Sequence, residues 1–183
     1  MIIRKLFKFE NAHIVRGCST ERCKYSIHGH SYKAEILLSS DTLDNGQMVM
    51  DFGLLKGAVR DVVDSFDHAI ALWDKAEVEY IEYAKKYSHR WALLPISPSA
   101  EQFSRLFFVA IDALINGFNY ANGESNVELH SVIVHETDTG YAQCFRDDAY
   151  SKKMGLIDLG KVIFSDDVKR EWSSPDILGK ILN

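Results

Sequence analysis

Alternation between apolar and polar side chains runs from His28 to Ser40, and it is the feature that most limits what this chain can fold into. Successive side chains of a β-strand point to opposite faces. The pattern therefore predicts a strand that carries His28 and His30 on the same face as its apolar residues. Residues 2–10 alternate in a similar way and predict another strand. A turn motif follows at Asp44-Asn45-Gly46, and we expect the two strands to pair in antiparallel orientation.

Three helices are expected in the middle of the chain. Asp51 is a candidate N-cap for a helix over about 52–66, and the stretch 75–88, rich in Glu, Lys and Tyr, predicts another helix. The strongest helical pattern opens at Ser97-Pro98-Ser99 and ends at Gly117. Its apolar residues recur at helical spacing and predict a buried stripe: Phe103, Leu106, Phe107, Ala110, Ile111 and Leu114.

The second half of the chain adds two strands and a tail. Residues 127–136 and 140–147 alternate around Asp138-Thr139-Gly140, which is a hairpin motif. The tail, 151–183, has a short helical pattern after Ser165. This order of elements predicts an α+β fold, with helices packed on one face of an antiparallel sheet. Because no linker interrupts the sequence, we expect residues 1–183 to form a single domain.

Composition argues against several kinds of partner. The 183 residues carry a formal net charge of −5 and a pI of about 5.8, so no overall positive field attracts nucleic acid or anionic lipid. No apolar run approaches the roughly 20 residues that span a bilayer, and the N-terminus lacks the apolar stretch of a signal peptide. Three cysteines are too few for a disulfide framework. We expect a cytoplasmic protein that binds neither nucleic acid nor membranes.

The segment His28-Gly29-His30 carries the strongest indication of chemistry. Residues i and i+2 of a strand share a face, so both imidazoles can reach one ion. His13 lies just past the predicted end of the first strand, and an antiparallel partner can bring it beside the pair. Three neutral imidazoles suit Zn²⁺ and leave a fourth coordination position open for water or substrate. The pattern predicts a zinc site that performs Lewis-acid chemistry.

Two other interpretations of these residues stay open. Cys18 and Cys23 could join His28 and His30 to hold a structural zinc in a closed four-ligand site. The chain would then be a non-catalytic, zinc-structured interaction module. Alternatively, the three histidines could polarise water in a zinc hydrolase that acts on another substrate.

Six separated segments, which cover roughly residues 7–146, occur in the order found in one known family. The segments are Phe9–His13, Cys23 with His28–Tyr32, Gln47–Lys56, Phe66–His68, Pro98–Glu101 and His135–Thr137. They resemble the 6-pyruvoyltetrahydropterin synthase family, which includes bacterial 6-carboxytetrahydropterin synthases. The resemblance implies a tunnelling fold, in which an antiparallel four-stranded sheet carries helices on one side. It also implies assembly into an oligomeric barrel, as a homo-trimer or homo-hexamer.

The same resemblance implies a substrate, 7,8-dihydroneopterin triphosphate, and a role for each matching residue. Zinc would be the cofactor and would bind the oxygens of the substrate side chain. The metal ligands implied are His13, His28 and His30. Cys23 would be the general base, and Asp67 with His68 would transfer a proton. Glu136 would bind the amino-pyrimidine edge of the pterin. Glu101 would either bind substrate or interact with the dipole of the helix that it opens.

The number of residues between the cysteine and the HGH motif bears on which pterin product is made. Family members that make 6-carboxytetrahydropterin typically have three residues between the cysteine and the HGH motif, and those that make the 6-pyruvoyl product have five. This chain has four residues between Cys23 and His28, and Cys18 could replace Cys23 as the base. We expect the 6-carboxy product of queuosine biosynthesis, formed with loss of triphosphate and acetaldehyde, with the 6-pyruvoyl product as the alternative. The stretch 74–96 is longer than a minimal member needs and predicts an inserted surface helix.

Overall fold

A mixed sheet forms the centre of the fold in the computed structural model, which describes residues 1–175, 177 and 179. Within them the sheet has seven strands, in the order β6-β5-β2-β1-β3-β4-β7. The strands are β1 (Ile2–His13), β2 (His28–Ser39), β3 (Ala69–Trp73), β4 (Trp91–Leu94), β5 (Glu128–His135), β6 (Tyr141–Cys144) and β7 (Ile163–Phe164). Neighbours from β6 to β1 pair antiparallel, β3 runs parallel to β1 and β4 parallel to β3, and β7 is antiparallel to β4.

The α+β prediction is confirmed, but the sheet is larger than the four strands expected. Strands β6, β5, β2 and β1 form the expected antiparallel part, and β3, β4 and β7 extend it. Strand β1 is also longer than predicted, because its antiparallel register with β2 continues to His13 opposite His28. His13 is therefore the last residue of a strand and does not lie beyond its end.

The described residues form six α-helices. They are α1 (Glu21–Tyr25), α2 (Ala58–Asp64), α3 (Val78–Tyr87), α4 (Ala100–Asn116), α5 (Arg146–Ala149) and α6 (Asp166–Lys169), with 3₁₀ turns at Phe52–Lys56 and Leu159–Lys161. The helix predicted over 52–66 is thus divided at Gly57 into a 3₁₀ turn and α2. Asp51 accepts a hydrogen bond from the backbone N–H of Gly53, so the predicted cap is confirmed.

Helix α4 supplies most of the core. The Ser99 hydroxyl caps it by accepting a hydrogen bond from the backbone N–H of Gln102, and all six residues of the predicted stripe are buried. Phe103 and Phe107 contact Phe9 in edge-to-face geometry. The ring of Phe9 stacks on that of Tyr32, with the ring centroids 4.8 Å apart. Aromatic packing therefore fixes the face of β1 and β2 against α4, directly beside the strand ends that carry the histidines.

The inserted stretch 74–96 contains the expected helix, α3, and also strand β4. Ile81 and Ala84 of α3 pack on Ile70 and Leu72 of β3, in a cluster separate from the main core. Because Ala71 of β3 belongs to the main core instead, α3 covers the opposite face of the sheet extension. The helices therefore do not all pack on one face, as the sequence predicted, because the extension has a second apolar face to cover.

The tail is described as far as residue 175, together with residues 177 and 179; the rest of the predicted C-terminal extension lies outside the described residues. The helix predicted after Ser165 is confirmed as α6, which Ser165 caps. The indole N–H of Trp172 then donates to the Ser65 hydroxyl at 2.8 Å, so the tail is anchored just after the end of α2.

Candidate active site

Three histidines meet where β1 ends and β2 begins. His13 lies opposite His28, and Asn11 lies opposite His30, in the antiparallel register. The Nε2 atoms of His13 and His28 are 3.1 Å apart, and one ring nitrogen from each of the three histidines lies within 4.8 Å of the others. This group could hold a metal ion. Neither Cys18 nor Cys23 belongs to it, so the closed four-ligand arrangement is not formed.

Backbone carbonyls orient two of these rings. Nδ1 of His13 is hydrogen-bonded to the Pro98 carbonyl at 2.5 Å, and Nδ1 of His28 to the Ser26 carbonyl at 3.0 Å. A carbonyl only accepts, so each Nδ1 carries the proton and each Nε2 keeps a free lone pair. Burial lowers the pKa of His13 to about 4, and His28 and His30 add to the shift. His13 is therefore neutral at pH 7, which is the form that binds metals, and the donor set fits Zn²⁺.

Glu136 follows β5 and approaches the same point. Its Oε1 lies 3.8 Å from Nε2 of His13 and 3.9 Å from Nε2 of His30, and it accepts a hydrogen bond from the Tyr32 hydroxyl at 3.2 Å. Burial raises the pKa of Tyr32, and the charges of Glu136 and Glu101 add to the shift. Tyr32 thus stays a neutral donor that orients the Glu136 carboxylate.

Tyr32 is a site residue that its sequence pattern alone does not indicate. The pattern did place it on the face of His28 and His30, two residues further along the strand. What the sequence could not supply is its contact with Glu136, because 104 residues separate the two. Glu101 lies in the first turn of α4, where its charge reaches both the helix dipole and the Tyr32 hydroxyl.

Cys23 lies in α1, in the connection between the two histidine-bearing strands. The connection is held by a hydrogen bond from the Val15 N–H to the Cys23 carbonyl at 3.0 Å, and by one from the Arg16 side chain to the Lys24 carbonyl at 2.9 Å. Partial burial raises the pKa of the Cys23 thiol, the hydrogen-bonded Cys18 side chain raises it further, and the charge of Glu136 contributes. These neighbours therefore favour the protonated thiol over the thiolate.

Asp67 and His68 occupy the turn between α2 and β3. Oδ2 of Asp67 lies 2.9 Å from Nδ1 of His68, and Oδ1 accepts a hydrogen bond from the Glu10 N–H at 2.7 Å. His68 has a φ of 50°, in the left-handed region, and this bend lets the two neighbouring side chains meet. His68 and His30 line the same open cavity, with a volume of about 480 Å³.

Comparison with known proteins agrees with this arrangement. The family model described as 6-pyruvoyl tetrahydropterin synthase matches residues 2–147. A Helicobacter pylori (strain J99) protein named 6-carboxy-5,6,7,8-tetrahydropterin synthase is 34% identical over 184 residues, covering 100% of this chain and 92% of the relative. One of the same name from Aquifex aeolicus is 31% identical, covering 77% of this chain and 95% of the relative.

Solved structures share the fold at low identity. An uncharacterized protein from Wolinella succinogenes superposes with a TM-score of 0.62 at 17% identity, over 80% of this chain and 98% of the other. The 6-pyruvoyl tetrahydropterin synthase of Caenorhabditis elegans gives 0.54 at 19% identity, over 79% and 94%. The implied tunnelling fold is thereby confirmed.

The fold and the family match together define an enzyme of the pterin synthase class. Specifically, the chain belongs to the 6-pyruvoyl tetrahydropterin synthase family. None of the helices among the described residues has the length and apolar character needed to cross a membrane.

Proposed function

We propose that this protein is a zinc-dependent lyase that converts 7,8-dihydroneopterin triphosphate and water to 6-carboxy-5,6,7,8-tetrahydropterin, triphosphate and acetaldehyde, as in queuosine biosynthesis. The convergence of three imidazoles on one point carries the proposal, and one of them, His30, lines an open cavity. The names of the relatives that match across this chain support the choice of product. The interaction module is less favoured, because the two cysteines do not join the histidine group.

His13, His28 and His30 would hold the zinc through Nε2 of His13 and His28 and a ring nitrogen of His30. When bound, Zn²⁺ supplies a Lewis acid that stabilises negative charge on the oxygens of the substrate side chain. The Pro98 and Ser26 carbonyls keep two of these rings oriented before the metal arrives. His13 is fully buried, so water is excluded from that side of the site.

The remaining site residues would transfer protons or bind the substrate. Cys23 would take a proton from a carbon of the substrate side chain as its thiolate, a form that bound Zn²⁺ would favour against the raised pKa of the thiol. His68 would return a proton, with its ring held by the Asp67 carboxylate. Glu136 would accept two hydrogen bonds from the amino-pyrimidine edge of the pterin, with Tyr32 fixing its carboxylate. Glu101 would bind the substrate from the start of α4.

Product analysis is the direct test. Zinc-loaded protein incubated with 7,8-dihydroneopterin triphosphate is expected to yield 6-carboxytetrahydropterin, triphosphate and acetaldehyde, which chromatography with mass spectrometry can identify. The four-residue spacing between Cys23 and His28 keeps the 6-pyruvoyl product as the second candidate, and that product retains the side-chain carbons. Failure to consume the substrate under these conditions would contradict both.

We further propose that the chain assembles as a homo-trimer or homo-hexamer in the cytoplasm. β3 pairs with β1 only at Asn11–His13, so within the described residues the outer edge of Ile2–Glu10 has no strand beside it. β6 is the opposite edge, and two such edges can pair between copies to close a ring. The three cysteines are free, as in a reducing compartment.

Native mass spectrometry should therefore find three or six times the chain mass of 20.8 kDa. A mass equal to one chain at micromolar concentration would rule out the assembly. Because strand pairing between copies depends on backbone groups, the oligomer is expected to survive high salt.

A further inference from the structure

The turn that carries Asp67 and His68 is held by side chains from distant parts of the chain. A φ of 50° is disfavoured for a residue with a Cβ atom. Such conformations persist only where the surrounding structure holds them, and they concentrate at functional sites. The groups that bind this turn therefore decide where the His68 ring points.

Strand β1 holds the turn on one side. The Asn11 side-chain amide donates to the carbonyls of Phe66 and Ala69, each at 2.9 Å. Together with the bond from the Glu10 N–H to the Asp67 carboxylate at 2.7 Å, these contacts fix the two ends of the turn. The peptide unit between Asp67 and His68 lies between them.

Arg90 binds that peptide unit. It directly precedes β4, in the inserted stretch 74–96. Its Nε donates to the Asp67 carbonyl and its Nη2 to the Asp64 carbonyl, both at 2.8 Å, while Nη1 donates to Glu171 at 2.6 Å. The side chain is only 16% exposed. Because a guanidinium is planar and rigid, binding both carbonyls fixes the direction of the chain as it leaves α2.

We propose that Arg90 is a positioning residue for His68. By binding the Asp67 carbonyl, it prevents rotation of the peptide unit that would carry the His68 backbone out of the left-handed region. The ring then stays on the Asp67 carboxylate and lines the cavity that it shares with His30. This inference rests on the catalytic role proposed for His68, and it gives the inserted stretch a part in the chemistry.

A purely structural role is the competing explanation, because Arg90 also contacts the tail through Glu171. Two control variants separate the two roles. Trp172→Phe removes the indole bond to Ser65 and loosens the same tail, while both carbonyl bonds of Arg90 stay in place. Glu171→Gln weakens the tail contact of Arg90 and leaves both carbonyl bonds in place.

The experiment uses the full zinc-loaded chain and two readouts, steady-state kinetics and the ¹⁵N spectrum of the His68 ring, assigned with His68→Gln. An ionised carboxylate only accepts hydrogen bonds, so in the wild type the proton paired with Asp67 lies on Nδ1. We expect Arg90→Met to lower kcat by about 10²-fold, the loss typical of a 1 Å misplacement, with KM nearly unchanged. The ring proton should shift towards Nε2.

Arg90→Lys should recover part of kcat, because an ammonium can reach one carbonyl but cannot span both. If Arg90→Met does not fold, Arg90→Lys replaces it in the same measurements. Both control variants should keep the wild-type kcat and ring spectrum. The proposal is overturned if Arg90→Met loses no more kcat than Trp172→Phe at equal loss of Tm, or if its His68 proton stays on Nδ1. Should the wild type prove inactive on the pterin, the proposed function fails, and the ring spectrum still decides whether Arg90 positions His68.

Discussion

Replacing His13 with alanine is expected to remove zinc from the protein and to reduce pterin synthase activity to background. His13 is fully buried, and its Nε2 lies 3.1 Å from that of His28. Its lowered pKa keeps the ring neutral at pH 7, with the proton on Nδ1 and the Nε2 lone pair free. Loss of a residue that merely orients a ligand costs about 10–100-fold in metal affinity, so loss of the ligand itself should cost more. Metal analysis after dialysis against a weak chelator measures the change.

His89→Ala is the matched control for this variant. His89 is exposed and pairs with Asp167, away from the histidine group, so this protein should keep one zinc per chain and full activity. The comparison also separates the enzyme from a zinc-structured interaction module. In the module His13 is not a ligand, and His13→Ala would retain its zinc with wild-type affinity. That result would contradict the proposed site.

The histidine group could be predicted because its causes are local. Alternation puts His28 and His30 on one face of β2, and antiparallel pairing brings the end of β1 beside them. Strands β3 and β4 gave no comparable pattern. They are short, mostly apolar, and pair in parallel with strands that are distant in sequence. Periodicity cannot distinguish such segments from other apolar runs.

Other features of the site depend on contacts that the sequence does not encode locally. In the sequence, Arg90 resembles an ordinary solvated loop residue. Only the fold places its guanidinium on the carbonyls of Asp64 and Asp67. The left-handed backbone of His68 is likewise a product of these long-range bonds. The sequence could nominate Asp67 and His68 through resemblance, but it could not show what aligns them.

Replacing Cys23 with alanine is expected to lower kcat by about 10²–10⁴-fold, the usual contribution of a general base, while zinc stays bound. The prediction follows from the separation of two functions in the structure. The histidines that could hold the metal form a group without either cysteine, whereas Cys23 lies in α1, in the connection between the two strands that carry them. Activity and zinc content, measured on the same preparations, test the expected loss of kcat and the expected retention of zinc.

Cys18→Ala is the matched control, and it also decides which thiol is the base. Cys18 and its hydrogen bond raise the pKa of Cys23, so removing Cys18 should lower that pKa. The alkylation rate of Cys23 by iodoacetamide in metal-free protein should then rise at lower pH than in the wild type. Cys18→Ala should also keep its zinc and remain active. If it loses turnover while Cys23→Ala retains it, Cys18 is the base; if both cysteine variants release zinc, the thiols close the metal site and the enzyme proposal fails.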